Sequence, residues 1–219
     1  MNIAIIKTDS SQGLADVAAL RDMLRKGELT ADSGSLDVRA IVRDIIADVE
    51  NGGDAAAAAM TSRFDQANIT PETIRVPQEQ ILAAHQAADD ELLQLVRRVA
   101  ANIRQYQESI LIEDPPPLKR GGRTLGVRYS PTARAGVYVP GGKAIYPSTV
   151  LMTIVPAQVA GVEQIAIASP PTGGEINQMV LALAGELGIT EVYRLGGAVA
   201  AAALAIGTET IAPVDKIVG

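Results

Sequence analysis

The chain has 219 residues, 47% hydrophobic and 20% charged, with a formal net charge of −6. That is a globular composition, and an acidic chain without a Lys/Arg cluster argues against a nucleic-acid partner. Zero cysteines exclude disulfides, a thiol nucleophile and thiolate metal sites, and a single histidine is too few for a typical structural zinc site. With one Phe and no Trp, the core has to be built from Ala, Val, Ile and Leu. Met1–Asp9 carries a short apolar run without the basic flank of a signal peptide. No apolar run approaches the roughly 20 residues that a membrane helix needs. The expectation is a cytoplasmic protein with no membrane contact.

In chain order, residues 1–30 read as a short strand and a peripheral helical arm, with Leu14, Val17, Leu20, Met23 and Leu24 at helical spacing. Residues 31–130 read as a mostly helical segment of a first domain. Within it, Leu36–Glu50 carries the apolar stripe Val38, Ile41, Val42, Ile45, Ile46 and Val49. Asn51-Gly52-Gly53 should end that helix, and Asp54 should cap the alanine-rich helix that follows. Ile74–Val76 reads as an edge strand, Pro77 as the start of a helix holding His85, and Glu91–Ile112 as a long amphipathic helix. Pro115-Pro116-Pro117 stops that helix, and Gly121–Ser130 alternates like a hairpin arm.

From about Pro131 the pattern changes to short strands alternating with helices. Strands are expected at Arg134–Val139, Gln164–Ser169, Glu191–Leu195 and Lys216–Val218. Helices are expected at Pro147–Ala160, Gly174–Leu187 and Ala198–Ile206. This alternation predicts right-handed βαβ units around a parallel sheet. The fold class is therefore α/β: a helical first half, then an incomplete Rossmann-like sheet with alternating helices over residues 131–219.

Two glycine turns follow predicted strands, Gly141-Gly142 and Gly196-Gly197, and Tyr138 lies beside the first. Ligands of open α/β sheets bind beyond the carboxyl ends of the strands. Neither turn is a G-x-G-x-x-G fingerprint, and a tight turn or a packed aromatic explains each as well. His85 has no carboxylate at metal spacing and reads as a half-buried helical residue. Asp89-Asp90-Glu91 reads as a helix cap.

The runs Gly136–Met152, Pro156–Val162, Gly196-Gly197-Ala198 and Gly207–Ile211, followed by Val214–Gly219, resemble histidinol dehydrogenase. So do Val42–Ile46, Gly53–Ala56 and Arg63-Phe64-Asp65 in the first half. The resemblance implies NAD-dependent oxidation of L-histidinol to L-histidine through the aldehyde, with a zinc ion that holds the substrate, in a homodimer. It implies that Tyr138 contacts the dinucleotide. The family's glutamine in a Gly-Gly-Ala-Gln run is Val199 here, which offers no side-chain hydrogen bond. Gly141, Gly142, Gly196 and Gly197 are weaker cofactor-binding candidates. The family's zinc ligands and its Glu-His acid/base pair belong to a later half. The chain is thus expected to be the N-terminal part of such an enzyme, with no catalytic or metal-binding residue of its own and no activity alone. The alternatives are a related zinc- and NAD-dependent dehydrogenase of another polar alcohol, or a non-catalytic binding or assembly module.

Overall fold

The computed structural model describes residues 6–26, 37–141 and 146–219. The expected N-terminal strand and Gly142 lie outside the described residues. The chain divides into two compact units, Met1–Ile41 and Val42–Gly219. The first contains α1 (Ser11–Lys26), where the Gly13 amide donates to Ser10 Oγ at 3.1 Å and caps the helix.

The second unit is built on a four-stranded parallel sheet of β3 (Arg134–Tyr138), β4 (Gln164–Ser169), β5 (Glu191–Arg194) and β6 (Lys216–Val218). Its order is β5-β4-β3-β6. The first three strands therefore step outward in one direction, and β6 returns to the free side of β3. The connecting helices are α5 (Pro147–Val159), α6 (Gln178–Glu186) and α7 (Gly197–Ile206). Proline at the first position of α5 loses no intrahelical donor.

Alternate residues of each strand face opposite layers, and both layers are apolar, as a parallel sheet requires. Val137, Ile165, Ile167 and Val192 join one core with α3 (Gln78–Gln86), α4 (Asp90–Ser109), α5 and α6. Ala166, Ala168 and Tyr193 join the other with α2 (Val38–Phe64) and α7. The small alanines let the aliphatic α7 lie close on the sheet. The helices of the first half thus complete the cover of the second, with α3 on α6 and α4 on α5. Asp89 starts α4 by accepting from the amides of Glu91 and Leu92, as its place before an acidic turn implies.

Four expectations need correction. The first helix does end at Gly53 (φ 52°, ψ −137°), where α2 is two helical segments joined across a kink, but the Asp54 side chain does not cap the second segment. The kink is held from afar, because the Asp54 amide donates to Glu209 Oε2 at 2.8 Å, and the hydroxyls of Thr208 and Thr210 donate to the Asp54 carboxylate. Gly121-Gly122 is the tip of a hairpin, with β1 (Leu118–Arg120) paired to β2 (Arg123–Leu125), and not the start of an arm. Both glycines have positive φ, 55° and 76°, which selects them for a two-residue hairpin turn. Ile74–Val76 meets β5 by a single antiparallel bridge, Arg75 to Tyr193. Finally, α6 starts at Gln178 and not at Gly174, because Asn177 accepts from the Met179 amide and caps it there.

Candidate functional site at the carboxyl edge of the sheet

The two ends of the sheet differ in chemistry. At the amino end, the Arg134 side chain is 7% exposed and every arm is paired. Its Nη atoms donate to Glu191 at 2.5 and 3.1 Å and to Gln164 Oε1 at 3.0 Å, and its Nε donates to the Ala212 carbonyl at 3.2 Å. Hydrogen bonding to Arg134 holds the Glu191 carboxyl below its usual range against the opposing effect of burial. Burial and the bond to Glu191 push the Tyr193 phenol well up. This cluster is closed structure.

The carboxyl end is where β3, β4, β5 and β6 release their loops. Tyr138 ends β3, half-buried, and its hydroxyl accepts from the Gly197 amide at 3.1 Å. That amide is the first of α7, so the phenol sits on the positive end of a ten-residue helix. Its oxygen is used as an acceptor, which leaves its own O–H to be donated outward. Gly219, just past β6, packs on the same tyrosine: a Cβ there would stand 2.5 Å from the Tyr138 carbonyl oxygen. Since β6 and β4 lie on opposite sides of β3, this is the topological switch point of the sheet, where open α/β folds place their ligands.

The other strand ends close around it through glycines. A Cβ at Gly141 would stand 2.6 Å from Pro170, and one at Gly196 would stand 2.7 Å from the Pro170 Cβ and 2.8 Å from Asp65 Oδ2. Gly197 differs: it needs glycine for its φ of 53°, and the space where a Cβ would point is open. Between the ends of β3 and β4 and the start of α6 lies a cavity of about 310 Å³, lined by Pro140, Gly141, Ser169, Pro170, Asn177 and Gln178 among others.

Of the residues singled out in the sequence, the structure therefore brings Tyr138, Gly196 and Gly197 together, with Gly141 across Pro170. Val199 is placed differently. It is 2% exposed and packed in the apolar core beneath α7, so its side chain presents no surface to the edge. His85 is half-buried, with Nε2 2.8 Å from Glu186 Oε2, and Arg97 closes on the same carboxylate at 2.7 Å. Hydrogen bonding to Arg97 holds the Glu186 carboxyl below its usual range. A half-buried histidine bound to a structural carboxylate is no free metal ligand.

Two contributors to this edge escaped the sequence patterns. One is Gly219 against Tyr138, and the other is Asp65, which Arg63-Phe64-Asp65 placed in a family motif without a role. At the outer corner, Arg194, the last residue of β5, is 5% exposed. It donates to the carbonyls of Thr73 and Arg75, to Gln80 Oε1 and to Glu175 Oε2. It ties the first half of the unit to the strand ends. Among the described residues, no three His, Cys, Asp or Glu side chains gather as metal donors, so these residues do not fit a zinc site. No helix among them is long and apolar enough to cross a membrane.

The histidinol dehydrogenase family model matches residues 29–219. The histidinol dehydrogenase of Geobacillus kaustophilus is 49% identical over 191 residues, which are 87% of this chain and 45% of that protein. That of Rhodopirellula baltica is 44% identical over 222 residues, covering 96% of this chain and 48% of the relative. A crystal structure of histidinol dehydrogenase from Elizabethkingia anophelis superposes with a TM-score of 0.78 at 36% identity, covering 84% of this chain and 42% of that one. The chain spans less than half the length of these relatives. It belongs to the histidinol dehydrogenase family.

Proposed function

We propose that this chain supplies the dinucleotide-binding part of a histidinol dehydrogenase, a cytoplasmic enzyme that oxidises L-histidinol to L-histidine through the aldehyde and works as a homodimer. Residues 131–219 form the cofactor-binding part, and the cofactor lies over the carboxyl edge at Tyr138, Gly196 and Gly197. NAD, when bound, accepts the hydride. The single observation that carries this proposal is the Tyr138 hydroxyl on the first amide of α7, at the switch point between β3 and β6.

The residues present fit a dinucleotide in three respects. The glycine turns bring backbone close to the strand ends, where side chains would crowd it out. The α7 amino end favours the negative charge of a pyrophosphate. The Tyr138 phenol can donate to a phosphate or ribose oxygen while its own oxygen stays anchored on Gly197. Val199, facing the core, adds nothing to the contact. Zinc and the acid/base pair would come from residues outside this chain, and no step is assigned to this chain's own side chains beyond seating the cofactor.

Calorimetric titration of NAD into the 219-residue chain tests this. Weak binding that disappears in Tyr138→Ala is expected. Micromolar binding that survives Tyr138→Ala would place the cofactor elsewhere. In an assay with histidinol, NAD and zinc, the chain alone should form no NADH above a heat-treated control.

A further inference from the structure

Two aspartates of α2 and its end illustrate opposite uses of a carboxylate. Asp54 is 6% exposed and accepts from two threonine hydroxyls, so its position is explained by the kink it holds. Asp65, just past the helix, is half-buried, and among the described residues nothing donates to its carboxylate. Burial raises its pKa, and among the described residues no hydrogen bond or positive charge offsets it. A carboxylate held partly out of water without a donor among the described residues costs stability, and it leaves both oxygens free to accept from a ligand.

Its place says which ligand. Asp65 Oδ2 and the Pro170 Cβ both lie within 2.8 Å of the point that a Gly196 Cβ would occupy. The carboxylate therefore stands at the joint ends of β4 and β5, beside the first turn of α7. In the order β5-β4-β3-β6, β4 holds the second place in a mononucleotide-binding half. Dinucleotide folds carry an acid at the end of that strand, which accepts from the ribose hydroxyls of NAD. Here β4 runs out into Ser169-Pro170-Pro171, which has no carboxylate. Asp65 reaches the same corner from another element.

We propose that Asp65 accepts hydrogen bonds from the ribose hydroxyls on the adenosine side of the dinucleotide, and that it selects NAD over its 2′-phosphorylated form. This assignment rests on the cofactor site proposed above. A carboxylate accepts from a 2′-hydroxyl and repels a 2′-phosphate, so one residue supplies both affinity and discrimination.

The test uses ratios measured within each protein, so that a change in folding cancels. NAD, NADP, AMP and 2′-deoxy-AMP are titrated against the unsubstituted chain and against Asp65→Asn by NMR, which reads weak binding. The unsubstituted chain should prefer NAD to NADP, and AMP to 2′-deoxy-AMP, each by about tenfold, as expected for one hydrogen bond to a charged acceptor. In Asp65→Asn both preferences should shrink to within about twofold, with the backbone spectrum retained. If NAD binds but the unsubstituted chain shows neither preference, or if both survive in Asp65→Asn, the proposal is overturned while the cofactor site stands. If no nucleotide perturbs the carboxyl edge of the unsubstituted chain, the cofactor site and the role of Asp65 fall together.

Discussion

The same four strands end in two kinds of chemistry. At their amino ends a buried arginine, Arg134, is saturated by Glu191, Gln164 and a backbone carbonyl. At their carboxyl ends stand glycines, prolines, a tyrosine with a proton to give and a carboxylate that has no donor among the described residues. The amino edge holds the fold, and the carboxyl edge is left unfinished. A parallel sheet forces this asymmetry, because all its loops of one kind emerge on one side. Polar groups that complete each other stabilise, while polar groups left waiting mark a place for something else.

The largest expected effect lies at the closed edge. Arg134→Met should lower the unfolding free energy by about 3 kcal/mol, the low end for breaking a buried pair, because Glu191 is 25% exposed. Denaturant unfolding measures the loss, and NAD affinity should not change. Removing Arg97, whose own side chain is 56% exposed and whose partner Glu186 keeps His85, should have a much smaller effect. Equal losses would contradict the view that burial sets the strength of the amino edge.

Glycine substitutions come next. Gly196→Ala forces a methyl against Pro170 and Asp65 and should cost about 1–3 kcal/mol. Gly197→Ala meets no atom and should cost about 1–2 kcal/mol for its positive φ alone. Both should weaken NAD binding, unlike Arg134→Met. Thermal melts and NAD titrations of the three variants separate the two edges.

Acid should act with opposite signs at the two edges. The Glu191 carboxyl titrates below its ordinary 4.5 in the folded chain, so the stability it contributes is present above that value and is lost as pH falls through its folded pKa. Asp65 titrates above its ordinary 3.8, so protonating it relieves a burial cost and adds stability as pH falls. The acid-induced loss of stability below about pH 4.5 should therefore shrink in Glu191→Gln and deepen slightly in Asp65→Asn. The smallest effect is at neutral pH, where Asp65→Asn should make the chain slightly more stable while binding NAD less well. A clear loss of stability in that variant would mean the carboxylate is structural.

Much of the sheet was legible because each strand has a short apolar or β-branched centre and soon runs out into glycine or proline. Lys216–Val218 and Gln164–Ser169 have the expected bounds. What escaped was held by distant partners. The break at Gly53 was readable, but nothing near it announces that Glu209 and two threonines arrive from residues 208–210 to hold the two segments of α2 at their kink. Nothing near Asp65 announces that the turn after β5 will lie beside it. Val199 was visible as a residue without hydrogen-bonding atoms, but only packing reveals that it faces the core. Tyr138 was the reverse: its place beside a glycine turn was readable, and its bond to Gly197 needed the fold.

The central claim is that ligand chemistry belongs to the carboxyl edge alone. The most direct measurement is to titrate NAD into the isotope-labelled chain and follow backbone amides at both ends of the same strands. The prediction is that the signals of Gly141, Gly196, Gly197 and Gly219 move together with one dissociation constant, while those of Arg134, Gln164 and Glu191 stay still. Shifts centred on Arg134 and Glu191, or saturable NAD binding that leaves all four glycines unmoved, would contradict it.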